Sequence, residues 1–265
     1  MEKKSAQIDK PAKTGRLSSV ASALHVLKAF SYEEPEIGIS ALAKRVDLAK
    51  STVHRLAVTL ASEGFLEQNP ENNRYRLGLS VFGLGALVRR RMDVSNEARP
   101  LLGLLRDKTQ EAVRLAVLSD MQIMYLYNLE SAQAIGIVSY IGSLMPASCT
   151  AEGRVLLGFG PAQMVAKVID AGLSARTSKT ITDPADFRRA LADVRKNGYA
   201  IDDEESEVGM RAIAAPVRDL SGRVIAAVGL AGPSQRLTKK ELRALVPEVV
   251  ATGEAVSVRL GYRPR

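Results

Sequence analysis

Cysteine and histidine are almost missing from this sequence: its 265 residues carry one cysteine, Cys149, and two histidines, His25 and His54. A single thiol excludes an internal disulfide framework, and these three side chains cannot build an ordinary His/Cys zinc site, so no metal or cofactor is expected and a reducing cytoplasm fits best. A membrane span is missing too. The longest charge-free run, Ser131 to Ala151, is broken by Gly136, Gly142 and Pro146 and diluted with Ser and Gln, and so reads as strands and turns. The opening MEKKSAQIDKPAKTGR is polar and basic with no apolar core, which predicts no secretion signal. Gly-x-Ser-x-Gly, Walker and HExxH patterns are absent, as is any repeat of solenoid period. What remains, 46% hydrophobic and 25% charged with unexceptional Gly and Pro, predicts a globular, soluble chain of one or two domains.

The formal charge of +8 is unevenly placed. Residues 1–92 hold 15 basic and 9 acidic side chains, whereas residues 93–265 hold 22 and 20. A basic segment joined to a nearly neutral one points to a polyanion-binding unit attached to a unit with another task.

Residues 1–15 have mixed charge, Pro11 and no apolar period, and read as a flexible tail. Behind a Ser18/Ser19 cap, Val20, Leu24, Leu27 and Phe30 share a helical stripe. A short helix follows, opened by Ile39 and a Ser40 cap. A third, from about Lys50, spaces Val53, Leu56, Ala57 and Leu60 helically until Gly64. Phe65 and Leu66 begin a strand, NPENN turns, and RYRL returns, forming a two-stranded wing within a 16–78 domain. Leu79 to Val88 leads into Arg89, Arg90 and Arg91 as a linker helix, 79–94. The remainder, 95–265, alternates: a helix over 96–111, a hairpin around Ser119 and Asp120, and a strand in AIGIVSYI. Helices at about 150–159, 161–171 and 184–197 come next, then a hairpin about Ser221 and Gly222. A final helix opens on a Thr238–Glu241 capping box and is kinked at Pro247. The fold class is α+β.

Two short helices separated by a tight turn, with a small polar and cationic face on the second, suit the major groove of DNA. With 53, 56, 57 and 60 facing inward, Lys50, Ser51, Thr52, His54 and Arg55 are left exposed, with Ser40 on the preceding helix. Arg55 suits a guanine, Ser51 and Thr52 a phosphate or base, and Lys50 a phosphate. Arg74 and Arg76 alternate on the wing and share a strand face.

These segments resemble the IclR family of bacterial transcriptional regulators. SSVASALHVLKAF is similar to its opening helix, ISALAKRVDLAKSTVHRL to its helix-turn-helix, EGFLEQ with RYRLG to its wing, and SVFGLGALV to its linker helix. GSLMPASCTAEGRVLL, NGYAIDDEES and VGMRAIAAPVRDLSGRVIAAVGLAGP resemble successive blocks of its GAF-like effector-binding domain. The resemblance implies a winged helix-turn-helix regulator, a homodimer or homotetramer that binds a double-stranded operator and responds to a small molecule. It further implies an effector pocket at Ala134, Ile137, Met145, Ala151, Glu152, Asp202, Ala212, Gly229 and Ala231. Asp47 stands where the family has a turn Gly, a substitution the left-handed conformation tolerates. Ala49 is a weak cap for the recognition helix. Ala212 replaces a family cysteine, and Gly229 and Ala231 replace serines, so the expectation is an enlarged pocket short of donors, suited to a larger or more apolar effector such as an aromatic acid. Cys149 reads as a small buried residue, and Asp202–Glu205 as a solvated acidic loop. Neither repression nor activation is indicated, and no catalytic residue is assigned. The alternative is a small-molecule-converting enzyme using Glu152 and Asp202 as a carboxylate pair.

Overall fold

Three short helices and a hairpin open the computed structural model, which describes residues 18–90, 93–133 and 140–263. The chain divides into two compact units, Met1–Arg91 and Met92–Arg265. In the first, α1 (Ser18–Leu27) buries Val26, with Leu27 packed on the same cluster, and leaves Val20 and Leu24 exposed. The stripe read from the sequence therefore mixes two faces, because the helix is apolar almost all round and periodicity alone does not choose between them. Gly38, not Ser40, is the N-cap of α2 (Ile39–Arg45), so Ser40 sits exposed in the first turn while Leu42 and Ala43 go inward. Asp47 takes the left-handed conformation at φ 53°, the conformation its turn position was expected to require. After it, α3 (Lys50–Ser62) buries Val53 and Ala57. The wing pairs β1 (Leu66–Gln68) antiparallel to β2 (Tyr75–Leu77), and Ile37 adds to it by exchanging two 2.9 Å backbone hydrogen bonds with Tyr75. At its foot a Cβ on Gly78 would lie 2.2 Å from the Gly64 carbonyl oxygen, so only glycine lets the chain pass into α4 (Leu79–Arg90).

The second unit is built on one antiparallel sheet. Its strands are β3 (Ala112–Ser119), β4 (Gln122–Leu129), β5 (Leu144–Pro146), β6 (Ala200–Asp203), β7 (Met210–Arg218) and β8 (Val224–Pro233), in the order β5-β4-β3-β8-β7-β6. Both expected hairpins form, with Asp120 and Gly222 at positive φ in their turns. Two short edge strands, β5 and β6, carried no sequence signal, and the strand expected in AIGIVSYI falls largely outside the described residues. The sheet's two faces differ in bulk. Val113, Leu115, Ile213, Val228 and Leu230 pack against α5 (Asp93–Thr109) and α9 (Lys239–Arg259). Ala116, Ala212, Ala214, Ala227 and Ala231 form the opposite face beneath α6 (Ala151–Phe159) and α8 (Pro184–Asn197), with α7 (Ala162–Asp170) beside them. The helix ends follow side-chain chemistry: Thr150 caps α6, Asp183 caps α8 by accepting from the amides of Ala185 and Asp186, and Thr238 with Glu241 completes the capping box of α9. Among the described residues no helix is long and apolar enough to cross a membrane.

The edge formed by β6 and β7 is fastened by charge. Asp203 receives Arg211 Nε at 2.6 Å and Lys239 Nζ at 2.8 Å. Partial burial raises its pKa, but the hydrogen bonds from Lys239 and Arg211 and the charges of Arg211 and Lys179 outweigh this and bring it down to about 2. A depressed carboxylate pKa contributes stability that is complete above the unfolded value of 3.8 and disappears as pH falls toward about 2. Acid unfolding followed by circular dichroism should therefore steepen across that window, and Asp203→Asn should flatten it.

Candidate functional sites

The first site lies on α3. Lys50, Ser51, Thr52, His54 and Arg55 are exposed along one side, opposite buried Val53 and Ala57. The first turn holds no acid, and Ala49 supplies no side-chain cap, so the helix start combines Lys50 with the positive end of the backbone dipole. Ser40 on α2 is exposed as well. Arg74 and Arg76 flank buried Tyr75 and hence point to the same side of the wing. Their circumstances differ: Arg76 is engaged by Glu67 at 3.0 Å and by Glu36 at 3.6 Å, which offsets its charge. Glu36 also accepts hydrogen bonds from Asn72 at 2.9 Å and Asn69 at 3.2 Å, tying the wing turn to the segment before α2. Glu36 thus braces the wing, a role the sequence reading missed because the partners lie more than thirty residues apart.

The second site is a set of buried charges between the alanine-lined sheet face and α6. Register places Arg114 of β3 beside Gly229 of β8, and Gly229 beside Ala214 of β7. The Arg114 guanidinium, 3% exposed, lies 4.9 Å from the Tyr125 ring centroid and 2.9 Å from Oε1 of Glu152, which is fully buried. That approach is an ion pair, and among the described residues no further group donates to either Glu152 carboxylate oxygen. Burial opposes the Arg114 charge, but Glu152, Tyr125 and Asp202 outweigh it and hold the guanidinium protonated. Burial also pushes the Tyr125 hydroxyl above its ordinary range, so it stays neutral. Asp202 on β6 is satisfied differently: it accepts from the backbone amides of Glu205 at 2.8 Å and Ser206 at 3.3 Å and from the Ser206 hydroxyl. Arg154 of α6 pairs with Glu205 at 2.8 Å and donates to the Ile201 carbonyl. Burial outweighs the Arg154 charge and leaves the Glu205 carboxyl above its usual range.

The expected pocket residues are therefore partly assembled and partly reinterpreted. Ala151, Glu152, Asp202, Ala212 and Ala231 are buried around one sheet face, with Gly229 among them and Met145 half-buried on β5. Ala134 and Ile137 lie outside the described residues. Asp202 and Glu205 are buried partners rather than a solvated run, because the acidic stretch starts on a strand and turns inward against Arg154. The space left by glycine at 229 is not open either. A Cβ there would stand 2.2 Å from Oε1 of Glu152, so the carboxylate occupies the room that the missing side chain provides. Arg114 went unrecognised in the sequence, although a cation inside the apolar strand VRLAVL is the signal that finds it. The Glu152–Asp202 pair has none of the features of a shared-proton dyad: Glu152 faces an arginine and Asp202 is filled with donors.

Cys149 is buried and its thiol is pushed up to about 11, chiefly by burial. Only about one molecule in a thousand is then thiolate at pH 8, so iodoacetamide should label the native chain far more slowly than the urea-unfolded chain. Labelling at equal rates would contradict that placement. Among the described residues no group of three or more His, Cys, Asp or Glu side chains is arranged to hold a metal ion.

Comparison with known proteins bears on both units. The family profile of the IclR helix-turn-helix domain matches residues 19–70, and that of the bacterial transcriptional regulator IclR C-terminal domain matches residues 86–258. The chain is 34% identical over 247 residues to the HTH-type transcriptional regulator XynR of Escherichia coli, covering 93% of this chain and 98% of that one. It is likewise 34% identical to the E. coli regulator KdgR, covering 93% and 94%. The crystal structure of an IclR transcriptional regulator from Alicyclobacillus acidocaldarius superposes with a TM-score of 0.82 at 26% identity, over 93% of this chain and all of that one.

Proposed function

Because the chain belongs to the IclR family of bacterial transcriptional regulators, we propose that its α3 face reads an operator and that its buried Arg114–Glu152 region receives the small molecule that controls that reading. The regulator function is the family's; the residue assignment is ours. The observation that carries it is the exposed, acid-free start of α3, with Lys50, Ser51, Thr52, His54 and Arg55 on one side. A helix of that kind gives Arg55 a bidentate partner in guanine and gives Lys50 a phosphate. On the wing, Arg74 supplies backbone contact more readily than Arg76, whose charge is already offset. Selection of genomic fragments followed by footprinting tests the reading.

Substitutions should sort by role. Arg55→Ala should cost about 1–3 kcal/mol of specific affinity, whereas Arg74→Ala should weaken all sequences alike and reduce the salt slope by about 1. Arg76→Ala should do less than Arg74→Ala. Anisotropy titrations at several salt concentrations measure all three, and equal losses would overturn the division.

The working unit is a homodimer or a homotetramer. Leu79, 78% exposed, and Phe82, 70% exposed, share α4 with exposed Leu84 and Leu87, and α1 exposes Val20 and Leu24. That much apolar surface on two short helices suits a second copy of the chain, whose two-fold symmetry then matches paired half-sites. The effector acts by preferring one arrangement of the half-site readers, since equal affinity for both shifts nothing. We read the chain as a cytoplasmic regulator rather than an enzyme, a reading supported by the regulators it resembles and by the satisfied state of Asp202. Turnover of any bound effector would oppose it.

A further inference from the structure

The buried carboxylate of Glu152 has an unused capacity that bears on which molecules the second unit accepts. Its Oε2 is enclosed and accepts no hydrogen bond among the described residues, while Oε1 pairs with Arg114 at 2.9 Å. The neighbouring acids are better provided for: Asp202 accepts from Ser206 and two backbone amides, and Glu205 pairs through Oε1 with Arg154, although its Oε2 accepts no hydrogen bond. The sheet beneath Glu152 offers Ala212, Ala214, Ala231 and Gly229, none of which carries a side-chain donor. A carboxylate buried in this way needs a donor, and among the described residues none donates to its Oε2.

We propose that Glu152 is the specificity-determining acceptor for a hydroxyl group on the effector. An ammonium donor is disfavoured, because Arg114 already neutralises Glu152 and a second cation would sit beside that guanidinium. A hydroxyl donates without adding charge, and a site that hydrogen-bonds a ligand hydroxyl rejects the analogue lacking it far more strongly than an apolar pocket separates two sizes. The effector class is thus a hydroxylated small molecule rather than simply the larger or more apolar one, such as an aromatic acid, expected from the residues at 212, 229 and 231. This rests on the second unit being the effector-binding one.

Matched pairs differing by one hydroxyl test it on the full-length protein: glycerate against propionate, and 4-hydroxybenzoate against benzoate, extended to a panel of polyols and their deoxy analogues. Thermal shift and calorimetry should find at least one pair in which the hydroxylated member binds ten times or more tightly. Glu152→Gln, which keeps one acceptor, should retain part of that ratio. Glu152→Met combined with Arg114→Met, which removes the pair without stranding a charge, should reduce it to near one while the fold persists by circular dichroism. Absence of hydroxyl-dependent binding across the panel, or an unchanged ratio in the double variant, would overturn the proposal. Adding each binder to an operator titration separates the two readings. Hydroxyl-dependent binding that leaves DNA affinity unchanged defeats the effector role and keeps the inference about Glu152; binding without hydroxyl preference that releases DNA does the opposite.

Discussion

Gly229→Ser should lower stability by about 3 kcal/mol, roughly 6–12 °C in melting temperature, although serine is a small and ordinary strand residue. The reason is specific contact rather than backbone strain. A Cβ at 229 would come within 2.2 Å of Oε1 and 2.7 Å of Cδ of Glu152, and that carboxylate cannot retreat without leaving Arg114. In a Glu152→Ser background the same replacement should cost about 0.5 kcal/mol or less, since the clashing group is gone. The coupling between the two positions is then about 2–3 kcal/mol. Additive effects would mean that the carboxylate does not fill the space over Gly229.

Arg114→Ala should be costlier still, about 3–5 kcal/mol, because it leaves a fully buried carboxylate without its counter-charge. Replacing both partners, Arg114→Met with Glu152→Met, should return stability to within about 1–2 kcal/mol of the parent or above it, because an apolar pair carries no desolvation penalty. Denaturant melts of the parent and the two variants measure both effects. A benign Arg114→Ala would show the pair to be energetically idle.

How much of this was visible in the sequence depends on the range over which each feature is fixed. Local chemistry was legible: the Asp183 and Thr238 caps, the Asp120 and Gly222 turns and the exposed polar side of α3 follow from a few adjacent residues, while left-handed Asp47 followed from the family resemblance, which has glycine there. The buried face of α1 was not, since its apolar residues occupy more than one side of the helix and only tertiary packing selects Val26. Strands β5 and β6 are three and four residues long, too short to show a period, and owe their form to the strands they border. The second site suffered most. Ala212, Gly229 and Ala231 in isolation imply emptiness, and what fills the space at 229 arrives from α6, some eighty residues earlier in the chain. Long separations in sequence also hid Arg114 as the partner of Glu152, and Arg154 as the reason Glu205 turns inward.

The central claim is that α3 enters duplex DNA and that its cations carry the contact. The measurement that addresses it most directly is the affinity of the full-length protein for its selected operator as a function of salt, beside an Arg55→Ala variant of equal melting temperature. The account predicts a steep linear fall of log affinity with log salt in both proteins, with the variant weaker by about tenfold or more on the operator and nearly unchanged on random DNA. Salt-insensitive binding, or a variant indistinguishable from the parent on the operator, would contradict it.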